Sequence, residues 1–143
     1  LRLYMADLPR QRTGWLAAAR DPAVGAALGA VHRDPASAWT VASLAARSGL
    51  SRTVFAERFS RLLGEAPLAY VARCRMQLGA RLLETTDEPV LQVALNAGYE
   101  SEAAFNRAFK REFDLPPARY RTLRRSTPRA AATPPGSGPA AAR

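Results

Sequence analysis

The 143-residue sequence holds one cysteine, one histidine and no apolar run of the length that crosses a bilayer. Cys74 by itself makes no internal disulfide and has no companion thiolates for zinc, which suits a reducing compartment. It is read as core packing. His32 has no second ligand at metal spacing and no partner that would make it a catalytic base, so it is read as a helix-end residue. The opening LRLYMADLPRQR lacks an apolar segment followed by a cleavage site, which speaks against a signal peptide. The sequence also lacks a Ser/His/Asp or Cys/His pairing, a glycine-rich phosphate loop and a metal-ligand cluster. The adjacent carboxylates Asp87 and Glu88 are read as the opening of a helix, where the macrodipole favours anions. Nothing here leads one to expect catalysis, a metal or a cofactor.

What is present is cation. Twenty-one Lys and Arg residues stand against 12 Asp and Glu, for a net charge of +9. That balance implies an acidic partner, and nucleic acid fits better than a membrane surface because the cations are almost all Arg, spread over capped helices rather than gathered in one basic run. With 48% apolar residues the chain suffices for one domain with a modest core.

The stretch from Val90 to Arg124 reads as a complete helix-turn-helix. A short helix, apolar at Val90, Val93, Ala94 and Ala97, stops at Gly98, which tolerates the left-handed backbone that redirects a chain. Tyr99 fills the angle. The next helix opens at Ser101, whose hydroxyl caps free backbone N–H groups, and turns Phe105 and Phe109 inward. Outward lie Ala103, Arg107 and Lys110, with Asn106 on the flank, a mixture suited to base edges and phosphates. The device has an upstream copy in Leu44 to Tyr70. Gly49 answers Gly98, Leu50 answers Tyr99, Phe55 and Phe59 answer Phe105 and Phe109, and Pro67 and Tyr70 answer Pro117 and Tyr120. The second copy has one extra residue in its turn. In the first, Phe55, Phe59 and Leu62 face inward while Thr53, Glu57 and Ser60 face out, with Arg52 and Ala56 at the margins.

These residues resemble the two-motif DNA-binding domain of the AraC/XylS family of bacterial transcription regulators over roughly Asp21 to Arg124. TVASLAARSGLSRTVFAERF is similar to its first motif, PLAYVARCRMQLGARLLETTD to its linking helix, and AGYESEAAFNRAFKREFDLPPARYR to its second motif and closing signature. The resemblance implies an all-α fold of about seven helices, with two helix-turn-helix subdomains (about 41–63 and 90–113) joined by a helix over about 66–85. It implies base-reading roles for Arg52, Thr53, Ala56, Glu57, Glu102, Ala103, Asn106 and Arg107, and phosphate contacts from Ser51, Arg58, Arg61, Ser101, Lys110 and Arg111. The implied partners are double-stranded DNA and RNA polymerase, in the bacterial cytoplasm, with the isolated domain a monomer. Residues 1–20 are similar to the piece that joins this domain to an upstream cupin-type sensor, and the start at Leu1 rather than Met suggests a fragment lacking it. Three departures stand out: Glu57 where relatives carry a polar or basic reader, Gly79 where Ala is common, and Asp114 where Gly is common. Glu57 repels phosphate and accepts only from a donor such as cytosine N4, so the first motif reads weakly or reads a cytosine. Gly79 is either a close-packing point or a weak spot of about 1 kcal/mol.

The remaining expectations concern support. Leu1 to Leu8 reads as a short helix, and Trp15 as packing against the first helix or as an anchor to the sensor. Asp21 and Pro22 open a helix that ends near His32, Trp39 covers the core, and Thr40 caps Val41 to Ser48. The linking helix is expected to turn Tyr70, Val71, Cys74, Leu78 and Leu82 to one face. In the last helix Tyr120 and Leu123 should pack back while Arg119, Arg121, Arg124 and Arg125 stay in water. Residues 126–143, poor in bulky side chains and rich in Pro, Gly and Ala, read as a tail beyond a domain of 21–125. A helical module that docks on an acidic protein is the other function class, but it has no need of a duplicated capped turn. Because arginines release counterions from phosphates, affinity for duplex DNA should fall by about 10³-fold or more between roughly 50 and 200 mM salt if about six phosphates are contacted. Fluorescence anisotropy over that range checks this, and a flat response contradicts the DNA reading.

Overall fold

The computed structural model describes residues 16–126. The expectations for Leu1 to Leu8, Trp15 and the tail beyond Ser126 lie outside them. Among the described residues, 16–20 are helical, labelled α1, and seven helices follow: α2 (Pro22–Arg33), α3 (Val41–Ser48), α4 (Arg52–Leu63), α5 (Pro67–Thr85), α6 (Val90–Asn96), α7 (Glu102–Phe113) and α8 (Pro117–Ser126). No helix among the described residues is long and apolar enough to cross a membrane.

The ends of these helices follow from local chemistry. Asp21 caps α2 by accepting from the amides of Ala23 at 3.0 Å and Val24 at 3.1 Å, with Pro22 in the first turn. Thr40 and Ser43 form a reciprocal capping box at the start of α3. At the other ends the repeat is legible atom by atom. Leu50 N–H reaches back to Ala45 O at 3.1 Å, and Tyr99 N–H to Ala94 O at 2.9 Å, across Gly49 and Gly98, whose φ values are 72° and 97°. Gly64 ends α4 with φ 80° and Asp114 ends α7 with φ 66°, so the Asp is held in the left-handed region that Gly occupies in the first copy.

Two cores result. The first gathers Val24, Leu28 and Val31 of α2, Leu44 of α3, Phe55 and Phe59 of α4, and Tyr70 and Val71 of α5; the second gathers Met76, Ala80 and Leu83 of α5 with Val93, Phe105, Phe109 and Tyr120. Each contains the same aromatic pair. Phe55 and Phe59 lie 5.6 Å apart, Phe105 and Phe109 5.5 Å apart, and the second ring of each pair meets Tyr70 or Tyr120 edge-on. The tyrosine hydroxyls also find partners, Tyr70 with His32 Nε2 and Tyr120 with Glu84, each at 2.5 Å. His32 is thus a helix-end residue with its imidazole pKa lowered by burial. Trp39 is half-buried against the first core and donates to Asp34 O at 2.8 Å. Cys74 packs beside that core, and burial pushes its thiol up to about 11, which leaves it protonated and unreactive near neutral pH.

Three expectations are corrected. The linking helix does not present one apolar face: its first turns serve the first core and its last turns the second, so the buried side shifts from Tyr70 and Val71 to Met76, Ala80 and Leu83, while Cys74, Leu78 and Leu82 are only half-buried. Asp87 and Glu88 directly precede the N-cap of α6 but do not cap it; Asp87 pairs with Arg125, which holds its carboxyl below the usual range, and Glu88 accepts from Asn96 at 3.1 Å. In α8, Leu123 stays exposed whereas Arg121 turns in and donates to the carbonyls of Leu83, Thr86 and Glu88 at 3.0, 3.1 and 2.6 Å. The loop before α6 has carbonyls with no helix or strand to satisfy them, and a guanidinium supplies several donors at once.

Gly79 is a close-packing point. A Cβ there would lie 2.7 Å from Cε1 and 2.8 Å from Cζ of Phe105, a fully buried ring. Gly79→Ala gains about 1 kcal/mol of helix propensity but must displace that ring, and overpacking costs about 1–3 kcal/mol. The variant is therefore expected to be less stable than wild type in urea unfolding, and a rise in stability would contradict the packing.

Candidate nucleic-acid interface

The two helices that present the expected readers are α4 and α7. Each is preceded by a serine whose hydroxyl takes the third amide of the helix, Ser51 from Val54 at 3.2 Å and Ser101 from Ala104 at 3.1 Å. Each buries its two phenylalanines completely and turns the opposite side outward. On α7, Glu102, Ala103, Arg107, Lys110 and Arg111 are exposed, and Asn106 is half-buried beside them. Arg111 and Lys110 stand in the last turn, where the macrodipole favours cations. On α4, Arg52, Thr53, Glu57 and Arg61 are exposed and Ala56 is half-buried. The structure thus brings the sequence-predicted residues of each helix onto one side.

Arg58 departs from the simplest form of that pattern. Arg58 is half-buried, and its guanidinium lies 3.7 Å from Asp21 Oδ2, drawn back toward the cap of α2. Ser51 and Ser101 each accept one backbone N–H at the hydroxyl oxygen, which leaves the O–H as a donor beside the helix N-terminus. Asn106 has a buried Oδ1 that no hydrogen-bond donor meets, and its amide nitrogen remains as the donor end.

The repeat relates the two outward sides residue by residue, with one inversion. Thr53 corresponds to Ala103, Ala56 to Asn106 and Arg61 to Arg111, but Arg52 corresponds to Glu102 and Glu57 to Arg107. Charge is therefore exchanged between the first and second turns of the two helices. Elsewhere much of the arginine complement is held internally: Arg73 by the Glu65 carboxylate, with Nε 3.1 Å from Oε2, Arg75 by Pro35 O at 2.9 Å and Ser37 O at 2.6 Å, and Arg121 and Arg125 by the loop before α6. Arg75 is the residue that reasoning from sequence passed over. Its signal was the repeat itself, because Arg75 follows Tyr70 as Arg125 follows Tyr120, and Arg125 likewise grips a carbonyl, that of Thr86. Among the described residues no group of three or more His, Cys, Asp or Glu side chains is placed to hold a metal ion.

Residues 44–123 match the family model described as a helix-turn-helix domain. A putative AraC-like transcription regulator of Streptomyces lividans is 44% identical over 121 residues, covering 85% of this chain and 40% of the relative. The chain belongs to the AraC family of helix-turn-helix transcription regulators. The regulatory protein SoxS of Salmonella typhimurium is 35% identical over 78 residues, 54% of this chain and 73% of that protein. Among solved structures, the DNA-binding domain of AdpA in complex with a target DNA superposes with a TM-score of 0.70 at 34% identity, covering 73% of this chain and 94% of that domain. The chain spans about 40% of the length of the first of these relatives.

The caps are separable from the interface by measurement. Ser101→Ala removes the hydroxyl that satisfies Ala104 N–H and should cost about 1 kcal/mol of stability. Ser101→Asp, which keeps an acceptor, should recover that stability while weakening DNA binding by placing a second anion beside Glu102. Urea melts and titrations of the same two variants decide it; an unchanged melt for Ser101→Ala contradicts the cap.

Proposed function

We propose that residues 21–125 form a sequence-specific reader of double-stranded DNA within a transcription regulator, α4 and α7 entering two successive major grooves on one side of the duplex. The observation that carries this reading is the duplication of a serine-capped helix with buried phenylalanines and an outward side of small, amide and charged residues. A module that docks on an acidic protein would need only one such surface. Arg52, Thr53, Ala56 and Glu57 face bases in one groove, and Glu102, Ala103, Asn106 and Arg107 in the next. Arg61, Lys110, Arg111 and, less freely, Arg58 meet phosphates, with the helix N-termini at Ser51 and Ser101. The similarity to a domain solved on its target DNA supports the geometry.

The inverted charges give the two half-sites different sequences. Arginine pairs with guanine through O6 and N7, and a carboxylate accepts from cytosine N4. Arg107 then reads a guanine where Glu57, at the equivalent place in the first groove, reads a cytosine. The intact regulator works in the cytoplasm with RNA polymerase as its partner, residues 1–20 joining the reader to an upstream sensor, and the reader binds as a monomer.

Arg107→Ala is expected to lose about 1–3 kcal/mol and to relax preference at one base pair. An equal loss on every sequence would make Arg107 a phosphate contact. Glu57→Ala should hold or raise overall affinity, since it removes an anion from the interface, while relaxing a different position. Selection of bound sites from a random duplex pool supplies the starting sequence. Inserting about five base pairs between the half-sites turns one to the far side and should lower binding to that of the better single motif; full binding to the insertion would leave only one motif engaged.

A further inference from the structure

We infer that Arg75 and Gly98 form a lateral brace between the two motifs, and that this brace, beyond the linking helix, sets the spacing at which the two reader helices meet DNA. The half of this inference that concerns DNA rests on the reading above. A linking helix joins two bodies at its ends but leaves bending and twisting between them. The brace closes the triangle. The loop between α2 and α3 belongs to the first motif, and its Ala36 lies directly against the turn of the second: a Cβ on Gly98 would meet Ala36 Cα at 2.9 Å and Ala36 O at 3.0 Å. Both neighbours are backbone, so no side chain can swing away to make room. From α5, Arg75 donates to Pro35 O at 2.9 Å and Ser37 O at 2.6 Å, the carbonyls on either side of Ala36, while its Nε lies 3.0 Å from the same Cβ position. One guanidinium thus holds the loop of motif one beneath the turn of motif two.

Gly98 is required twice at this point. Its φ of 97° demands glycine for the turn, and its bare α-carbon admits the neighbouring backbone. The equivalent Gly49, with φ 72°, has open space where its Cβ would stand, so the second requirement is peculiar to the second motif. Arg125, the repeat counterpart of Arg75, grips Thr86 O and Asp87 within the second motif and touches nothing of the first. The duplication therefore supplied the arginine, and only one copy of it lies between motifs.

The test separates the brace from DNA recognition. In a Cys74→Ser background, spin labels at the exposed positions Ala42→Cys on α3 and Gln92→Cys on α6 report the distance between motifs without DNA. Arg75→Met, which keeps most of the aliphatic stem, should broaden that distribution, and Arg75→Lys should restore part of its sharpness. Gly98→Ala, with Arg75 in place, should shift the mean distance outward. A second readout is binding to duplexes whose half-sites stand at the selected spacing or one base pair closer or farther. Wild type should discriminate on the order of tenfold, as a rigid two-site ligand does, and Arg75→Met by less than about threefold. An unchanged distance distribution in both Arg75→Met and Gly98→Ala overturns the brace. If wild type itself ignores spacing while the distributions respond, the two-groove reading fails and the brace stands. If Arg75→Met does not melt cooperatively, Gly98→Ala and Arg75→Lys carry the decision.

Discussion

The ring of Phe105 rests on the bare backbone of Gly79, and the geometry of the second motif hangs on that contact. A reader helix is useful only if its outward side stands at a fixed height and tilt, and those are set by what its inner side lies against. Here the inner side meets α5 without an intervening methyl, so α7 sits closer to the linking helix than any side chain at 79 would allow. From that seat Phe105 and Phe109 align with each other and with Tyr120, and α8 closes the motif. The glycine that weakens α5 as an isolated helix is what lets α5 act as a platform. Helix propensity and packing disagree at this residue, and packing, with the larger energy, prevails.

Much of this was legible in the sequence, for a physical reason. Caps, αL turns and apolar periodicity act over three to six residues, and the chain advertises them locally: Thr40, Ser51 and Ser101 cap the helices they precede, Gly49 and Gly98 turn as expected, and Asp114 takes the backbone of the glycine it replaces. What was hidden depends on partners more than thirty positions away. Nothing near Arg75, Arg121 or Arg125 says that their guanidinium groups will satisfy loop carbonyls rather than face water, and nothing near Asp87 says that it will answer Arg125 instead of a helix dipole. The linking helix misled for a related reason. A single apolar face is the signature of a helix that serves one core, whereas α5 serves two in succession, so Met76 and Leu83 are buried while Leu78 and Leu82 are only half-buried.

The internal use of arginine also changes how the net charge should be weighed. A total of +9 describes the chain, not the interface. Arg73 and Arg125 are matched by carboxylates, and Arg75 and Arg121 are committed to carbonyls, so although their charge remains, their donors are largely spent. The cations exposed on the reader helices are Arg52, Arg61, Arg107, Lys110 and Arg111. Exposed arginines also lie off these two helices, at Arg20, Arg33, Arg47, Arg81 and Arg119, and of the two helices α7 carries more exposed cations than α4. This asymmetry follows from individual side chains and is invisible in the composition.

Duplication and divergence have acted on different sides of the same helices. The inner sides are nearly copies, with the same phenylalanine pair, the same tyrosine and the same serine cap, because each motif must solve the same packing problem. The outer sides have no such obligation and have exchanged charge at two corresponding places, Arg52 with Glu102 and Glu57 with Arg107. Two identical readers held at one helical turn would fit a direct repeat, and a protein shifted by one turn would still place one reader on a matching half-site. On the proposed reading, opposite charge order would remove that partial match, since shifting the protein by one half-site would set Glu57 against the base chosen by Arg107, and a carboxylate facing guanine acceptors is repelled. On the same reading, the anion that costs the first motif affinity would give the pair a single register.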